Sequence, residues 1–341
     1  HMAGTPEYNA SALTRDWWAG ANADQDIHIE AYEGDVEGSF KVESMFRSMN
    51  LTRFKSVMNQ SNTWRGDRIG AAVVKGRKSG EKLDGARIAN DKFLVTVDTT
   101  SFIRTPFDYQ DDWTAPDFQS EYSAEHGSAH AKAFDEAHII TLIKCSAFVA
   151  PTHLAGSFKN GLKATTTGLN AAVATATQTA DEVKASIIVK THKGLLKEFV
   201  KRDLGGSLKA NITLMNPDIF DLLLDEKKLM NVDYQGGNGD NDFAARRVAW
   251  LNGTRVIETP RFPTGVITDH ILGADFNVSA AEAKAAFIIF NPAKALVTVE
   301  AKSMTVHKWD DPQHFQSVLD TYCMYTVGQH RPDAVAVGFT E

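Results

Sequence analysis

The chain has 341 residues, 43% of them hydrophobic, and a formal charge of −7. It can bury one or two substantial cores, and no run approaches the roughly 18 apolar residues needed to cross a bilayer. Its acidity argues against tight nucleic-acid binding by the surface as a whole.

The distribution of charge says more than its sum. Residues 1–50 carry three Lys/Arg and nine Asp/Glu; residues 51–97 carry ten and four; residues 98–136 carry two and nine. The blocks are therefore −6, +6 and −7, and the remainder is neutral. Such alternation is ordinary solvated surface in many proteins. In a self-assembling chain it lets the basic block of one copy meet the acidic block of another.

In chain order, residues 1–50 show no sustained periodicity before a short helical patch near Val42–Met49. Trp17-Trp18 in an acidic, Gly/Ala-rich setting reads as a docking arm, or equally as a disordered terminus. Residues 53–97 read as an extended two-stranded excursion punctuated by Gly66, Gly70, Gly76, Gly80 and Gly85, with Phe93–Val97 as the returning strand. Pro116-Asp117 opens a long helix to about Ala150, roughly 50 Å at ~1.5 Å per residue. Residues 160–180 are Ala/Thr/Gly-rich and read as a connector. A helix follows from Asp181-Glu182 and stops at Gly205-Gly206.

Ile212–Met215 reads as a strand ended by Asn216-Pro217, which presets a helix start. Asn252-Gly253 between Val248–Leu251 and Thr254–Thr259 is a strong hairpin signal. Ala286–Phe290, Leu296–Val299 and Met304–His307 read as strands, and Phe315–Val327 fits either period.

Chemical signatures are missing. There is no phosphate-binding loop, no G-x-G-x-x-G opening a helix and no G-x-S-x-G elbow. His126 and His130 share a helix face, but the glutamate of H-E-x-x-H is absent, so they read as surface or interface histidines. The Gly236–Asp242 loop does not follow a Ca²⁺-loop register and reads as a turn. Cys145 and Cys323 form no disulfide framework and read as buried thiols in a reducing compartment. No catalytic, cofactor-binding or metal-ligating residue is assigned.

Three segments, N-P-D-I-F-D-L-L from Asn216, N-V-D-Y-Q-G-G from Asn231 and L-N-G-T-R-V-I-E-T-P-R-F-P from Leu251, occur in an order that resembles the major capsid proteins of tailed phages. The closing Tyr325–Phe339 segment, with R-P-D-A, adds to the likeness. Capsid proteins of short-tailed phages are the most similar. The resemblance implies an α+β, Hong Kong 97-type fold in four parts: an N-terminal arm (1–50), an extended loop (51–97), a peripheral domain with a long spine helix (98–154 and 291–341) and an axial domain (155–290).

It also implies a structural, non-enzymatic subunit that assembles through hexamers and pentamers into an icosahedral shell around double-stranded DNA, without sequence-specific binding. Scaffolding, portal and decoration proteins are the implied partners. The virion is the implied location, after assembly in the host cytoplasm; no membrane is involved. Some relatives crosslink through Lys–Asn bonds, but no acceptor is identifiable for Lys75, Lys78 or Lys82.

Together with the charge blocks this gives a contact expectation. Arg65, Arg68, Lys75, Arg77, Lys78, Lys82 and Arg87 of one copy should lie over Asp108, Asp111, Asp112, Glu121 and Glu125 of the next. The rival readings are an encapsulin-type shell housing enzyme cargo, or an α/β enzyme with an unrecognised site.

Overall fold

The computed structural model describes residues 43–114, 119–203, 210–231, 234 and 240–341. Trp17-Trp18, the helix start at Pro116, the stop at Gly205-Gly206 and most of the Gly236–Asp242 loop lie outside them.

Two sheets organise the chain. The first has the order β1-β10-β11-β4, from Arg53–Ser56, Leu296–Asp311, Gln316–Gln329 and Thr100–Asp108. The second has the order β5-β12-β9-β6-β8-β7, from Leu162–Thr165, Val335–Phe339, Ala285–Phe290, Ile212–Met215, Thr254–Glu258 and Trp250–Leu251. A separate antiparallel hairpin joins β2 (Thr63–Ile69) to β3 (Asn90–Thr96).

β9 explains how the layers stack. Its sequence A-A-F-I-I-F is buried at every position. Successive strand side chains point to opposite faces. Ile288 and Phe290 accordingly enter the core beneath the long helix α3 (Gln119–Lys144), with Ile140 and Ile143. Phe287 and Ile289 enter a second core with Ile188, Leu195 and Phe199 of α4 (Ala180–Lys201) and Phe220 of α5 (Pro217–Leu223). A strand buried on both faces loses polar alternation, which is why this segment reads as one apolar run. β12 pairs beside it in antiparallel register, and Gly338 is required there: a Cβ would sit 2.4 Å from the Phe287 ring.

Local chemistry sets several element ends. Thr179 and Glu182 form a reciprocal capping box at the start of α4. Asn216 caps α5 through the Asp218 N–H, with Pro217 in the first turn. Asn252 and Gly253 both have positive φ, at 50° and 86°, as a two-residue hairpin turn of type I′ requires.

Several expectations need correcting. The 160–180 connector contains β5, which adds in parallel to β12. The two short strands expected around 296–307 are one strand, β10, with irregular register between Glu300 and Thr305. The Phe315–Val327 stretch is strand from Gln316 on, because β11 is sandwiched between β10 and β4, while Phe315 itself lies in the preceding turn. β4 itself carries no strong sequence pattern. Within 291–341, β10 and β11 belong to the four-stranded sheet and β12 to the six-stranded sheet.

Candidate assembly surfaces

Two exposed features are candidate contact surfaces, the hairpin and an acidic tip, and a buried seam lies under the long helix beside them. The hairpin begins as regular strands and ends as open chain. Gly70 donates to the Ala89 carbonyl at 2.6 Å, and beyond that pair every residue from 71 to 88 is exposed. Among them are Val73, Val74 and Leu83, with Val74 98% exposed, and Lys75, Arg77, Lys78, Lys82 and Arg87 against Glu81 and Asp84. Apolar side chains in open solvent within a cationic segment have no role in the chain's own core.

Arg68 differs from its basic neighbours. It is half-buried, stacks 4.3 Å over the Phe93 ring, and lies near the rings of Phe148 and Phe158. Its guanidinium donates to the backbone carbonyls of Gln329 and His330 at 3.2 and 3.4 Å. Burial lowers its pKa, while Asp91 and Asp333 pull the other way. Arg68 therefore anchors the hairpin's foot in its own copy. Arg65 pairs with Asp67 at 3.0 Å but stays exposed.

The acidic strip comes from two stretches of chain. Asp108, Asp111 and Asp112 sit at the end of β4 and on α2 (Tyr109–Thr114). Beside them the turn between β10 and β11 presents Phe315, which has φ +53° and packs edge-on against Tyr109 and Trp113, at 5.0 and 5.8 Å. Trp113 is 71% exposed and Phe315 50%. Glu121 and Glu125 are half-buried in the first turns of α3, where Tyr122 stacks on Phe107 at 5.3 Å, next to Asp108.

His126 and His130 are not surface residues. Both are buried and hydrogen-bond Thr321 of β11 at 3.1 Å, and His126 also bonds Thr105 of β4 at 2.7 Å. Two turns on, His138 bonds Thr298 of β10 at 2.6 Å and the Phe134 carbonyl at 2.7 Å. Burial lowers the pKa of all three, His138 to about 3. Neutral imidazoles thus stitch the helix to the sheet, and among the described residues no cluster of His, Cys, Asp and Glu is arranged to hold a metal. Cys145 and Cys323 are buried free thiols, and burial raises both.

The mature capsid of bacteriophage PhiM1 superposes with a TM-score of 0.81 at 42% sequence identity, over 98% of each chain. The chain belongs to the major capsid proteins of tailed phages. The capsid of cyanophage P-SCSP1u matches over 98% of each chain at 14% identity with a TM-score of 0.75. Mycobacterium phage Che8 matches at 18% identity and a TM-score of 0.62, over 91% of this chain and 96% of that one. These two speak for the fold alone. No family model matches, and neither does any curated protein. The α+β, Hong Kong 97-type architecture expected from the sequence is that of the capsid neighbours, and neither the encapsulin nor the enzyme reading is favoured by them.

The residues that sequence reasoning missed in this capsid subunit are Trp113, Phe315 and the anchoring role of Arg68. Phe315 carries no signal in the sequence, since its exposure follows from a turn conformation. Arg68 looks like any other basic loop residue until Phe93, Phe148 and Phe158 surround it.

Proposed function

We propose that this capsid protein is a purely structural shell subunit, closing through rings of five and six into an icosahedral virion shell around double-stranded DNA. The likeness to the PhiM1 mature capsid, at 42% identity along nearly the whole chain, is the observation that carries the reading. The proposed division is an arm at 1–50, an extended loop at 51–97, a peripheral part at 98–154 and 291–334, and an axial part at 155–290 joined by β12. Scaffolding, portal and decoration proteins are the proposed partners beyond the chain itself.

The basic loop is proposed to lie on a neighbour's acidic tip, and reach supports this. The foot of the hairpin is tied at the Gln329 end of β11, and the tip sits at the Gln316 end. Thirteen strand steps at ~3.3 Å separate them by about 43 Å. An exposed segment of 18 residues that goes out and back covers about 30 Å at the same rise. Each copy therefore falls short of its own tip, and a heterologous contact, which generates rings, is the natural outcome.

Electron microscopy of the protein expressed alone and with its scaffold tests the reading. Closed shells or five- and six-membered rings are expected. A uniform monomer or dimer under both conditions would overturn it.

A further inference from the structure

The axial part carries a second charge asymmetry, unrelated to the hairpin. Along α4, Lys190, Lys193, Lys197 and Lys201 recur at i, i+3, i+7 and i+11, and all four are exposed. Residues so spaced share one helix face. Beside that stripe runs a groove of about 510 Å³ between α4 and the edge strand β5, lined by Lys163, Lys190, Lys197, Glu198, Thr191 and Gly194 among others. Lys201 pairs with Glu198 at 3.3 Å, whereas Lys163, Lys190, Lys193 and Lys197 make no ion pair with a described residue.

The opposite end of the same layer is acidic. Asp221, Asp225 and Glu226, on and just after α5, cluster with Asp181 and Glu182 from the first turn of α4, and Asp218 lies one turn before Asp221 on α5. Lys227 pairs with Glu182 at 3.3 Å, and Arg246 bridges Asp221 and Glu258 at 3.0 and 2.8 Å. These two cations leave the six carboxylates in excess. Burial and then the repulsion of Asp181, Glu182 and Asp221 raise the Asp225 carboxyl. Glu258 ends β8, so Arg246 ties the acidic corner to the β8 side of the sheet, whereas the groove lies along β5.

Four strand spacings of ~4.8 Å put β5 and β8 about 19 Å apart. Along α4 itself Glu182 and Lys190 are eight residues apart, about 12 Å of helix rise, so the acidic corner and the groove are held apart within a copy.

We propose that the lysine-lined groove between α4 and β5 receives the acidic α5 corner of a second copy, making a head-to-tail contact between axial parts. The proposal rests on the shell-forming reading. Complementary charge at opposite edges suits a heterologous interface that closes by rotation, since each copy then offers one cationic and one anionic surface. Packaged nucleic acid is the competing occupant of a lysine stripe. The matching excess of carboxylate on the same layer favours the second copy.

Charge exchange tests it in cells, with particles and rings counted by electron microscopy and sedimentation. Lys190→Glu with Lys197→Glu should lower assembled material at least about tenfold, and so should Asp218→Lys with Asp225→Lys, because each creates facing like charges. Far-UV circular dichroism and the melting temperature of the unassembled subunits establish that both pairs fold.

All four changes in one chain should restore assembly. Co-expression of the two defective variants should restore six-membered rings, in which they alternate, but not five-membered ones, in which they cannot. Wild-type assembly by the lysine variant would overturn the proposal. So would a loss that the four-change chain does not repair, which includes a variant that assembles but retains less DNA. Failure of the wild-type chain to form rings or shells instead counts against the shell-forming reading itself.

Discussion

His126, His130 and His138 on α3, with His192 on α4, are held neutral inside the fold, each against a threonine hydroxyl. Burial depresses His138 and His192 to about 3, from an ordinary value near 6.5. An unfolded chain therefore binds protons that the native chain refuses, and stability rises with pH across that interval. The contribution is fully present above pH ~6.5 and is lost progressively as pH falls toward 3. Asp320 acts in the same direction. Burial pushes its carboxyl up, but hydrogen bonds from Arg104 and Trp309 outweigh that and hold it below the usual range. Urea midpoints of the unassembled subunit should fall steadily from pH 6.5 to pH 4. His192→Gln, which keeps an amide near Thr213, should flatten part of that slope at a cost in stability at pH 7. An unchanged slope in the variant would count against the assignment.

At the scale of elements, the two long helices are specified differently. α4 has an apolar face of Ile188, Leu195 and Phe199 and a capping box, so its sequence alone defines its start and its buried side. Removing the cap hydroxyl with Thr179→Ala should cost about 1 kcal/mol. Chemical denaturation and helicity measurements would register it. α3 is another case: its inward face carries His126, Ser128, His130, Asp135, His138 and Thr141, all buried. Asp135 accepts from the Ser44 hydroxyl at 2.6 Å and from the Met45 and Phe46 amides at 2.9 and 3.3 Å, which caps the short helix α1 (Met45–Ser48). A helix with so polar a buried face shows little amphipathic contrast. Its partners are hydroxyls and amides distant in the chain, visible only once the sheet is beside it.

For the whole molecule, the proposed loop contact joins two oppositely charged surfaces. The exposed cationic loop and the acidic aromatic tip are too far apart to meet in one copy, and each exposed pair contributes only ~0–1 kcal/mol. Their effect is collective and screened by salt. Reversal of Arg77, Lys78 and Lys82 to Glu should leave the subunit's circular dichroism and melting unchanged. Assembly followed by light scattering should slow, most strongly at low ionic strength. Assembly like the parent's at both low and high salt would remove the loop from the contact.

Legibility followed the range of the interactions that specify each part. Asn216-Pro217, Asn252-Gly253, the buried run Ala286–Phe290 and the order of the capsid-like segments are local patterns, and the sequence by itself determined these strands, turns and the family. It also carried the charge blocks, because they are a property of residue order. The tertiary structure alone decided the rest. Arg68 became an anchor because three aromatic rings distant in sequence enclose it, and His126 and His130 became struts because Thr321 lies beneath them. β12 joined the six-stranded sheet because β5 and β9 leave a slot between them that only a strand with Gly338 can fill beside Phe287. Pairing partners remote in the chain set these outcomes, and no local pattern encodes which remote partner will arrive.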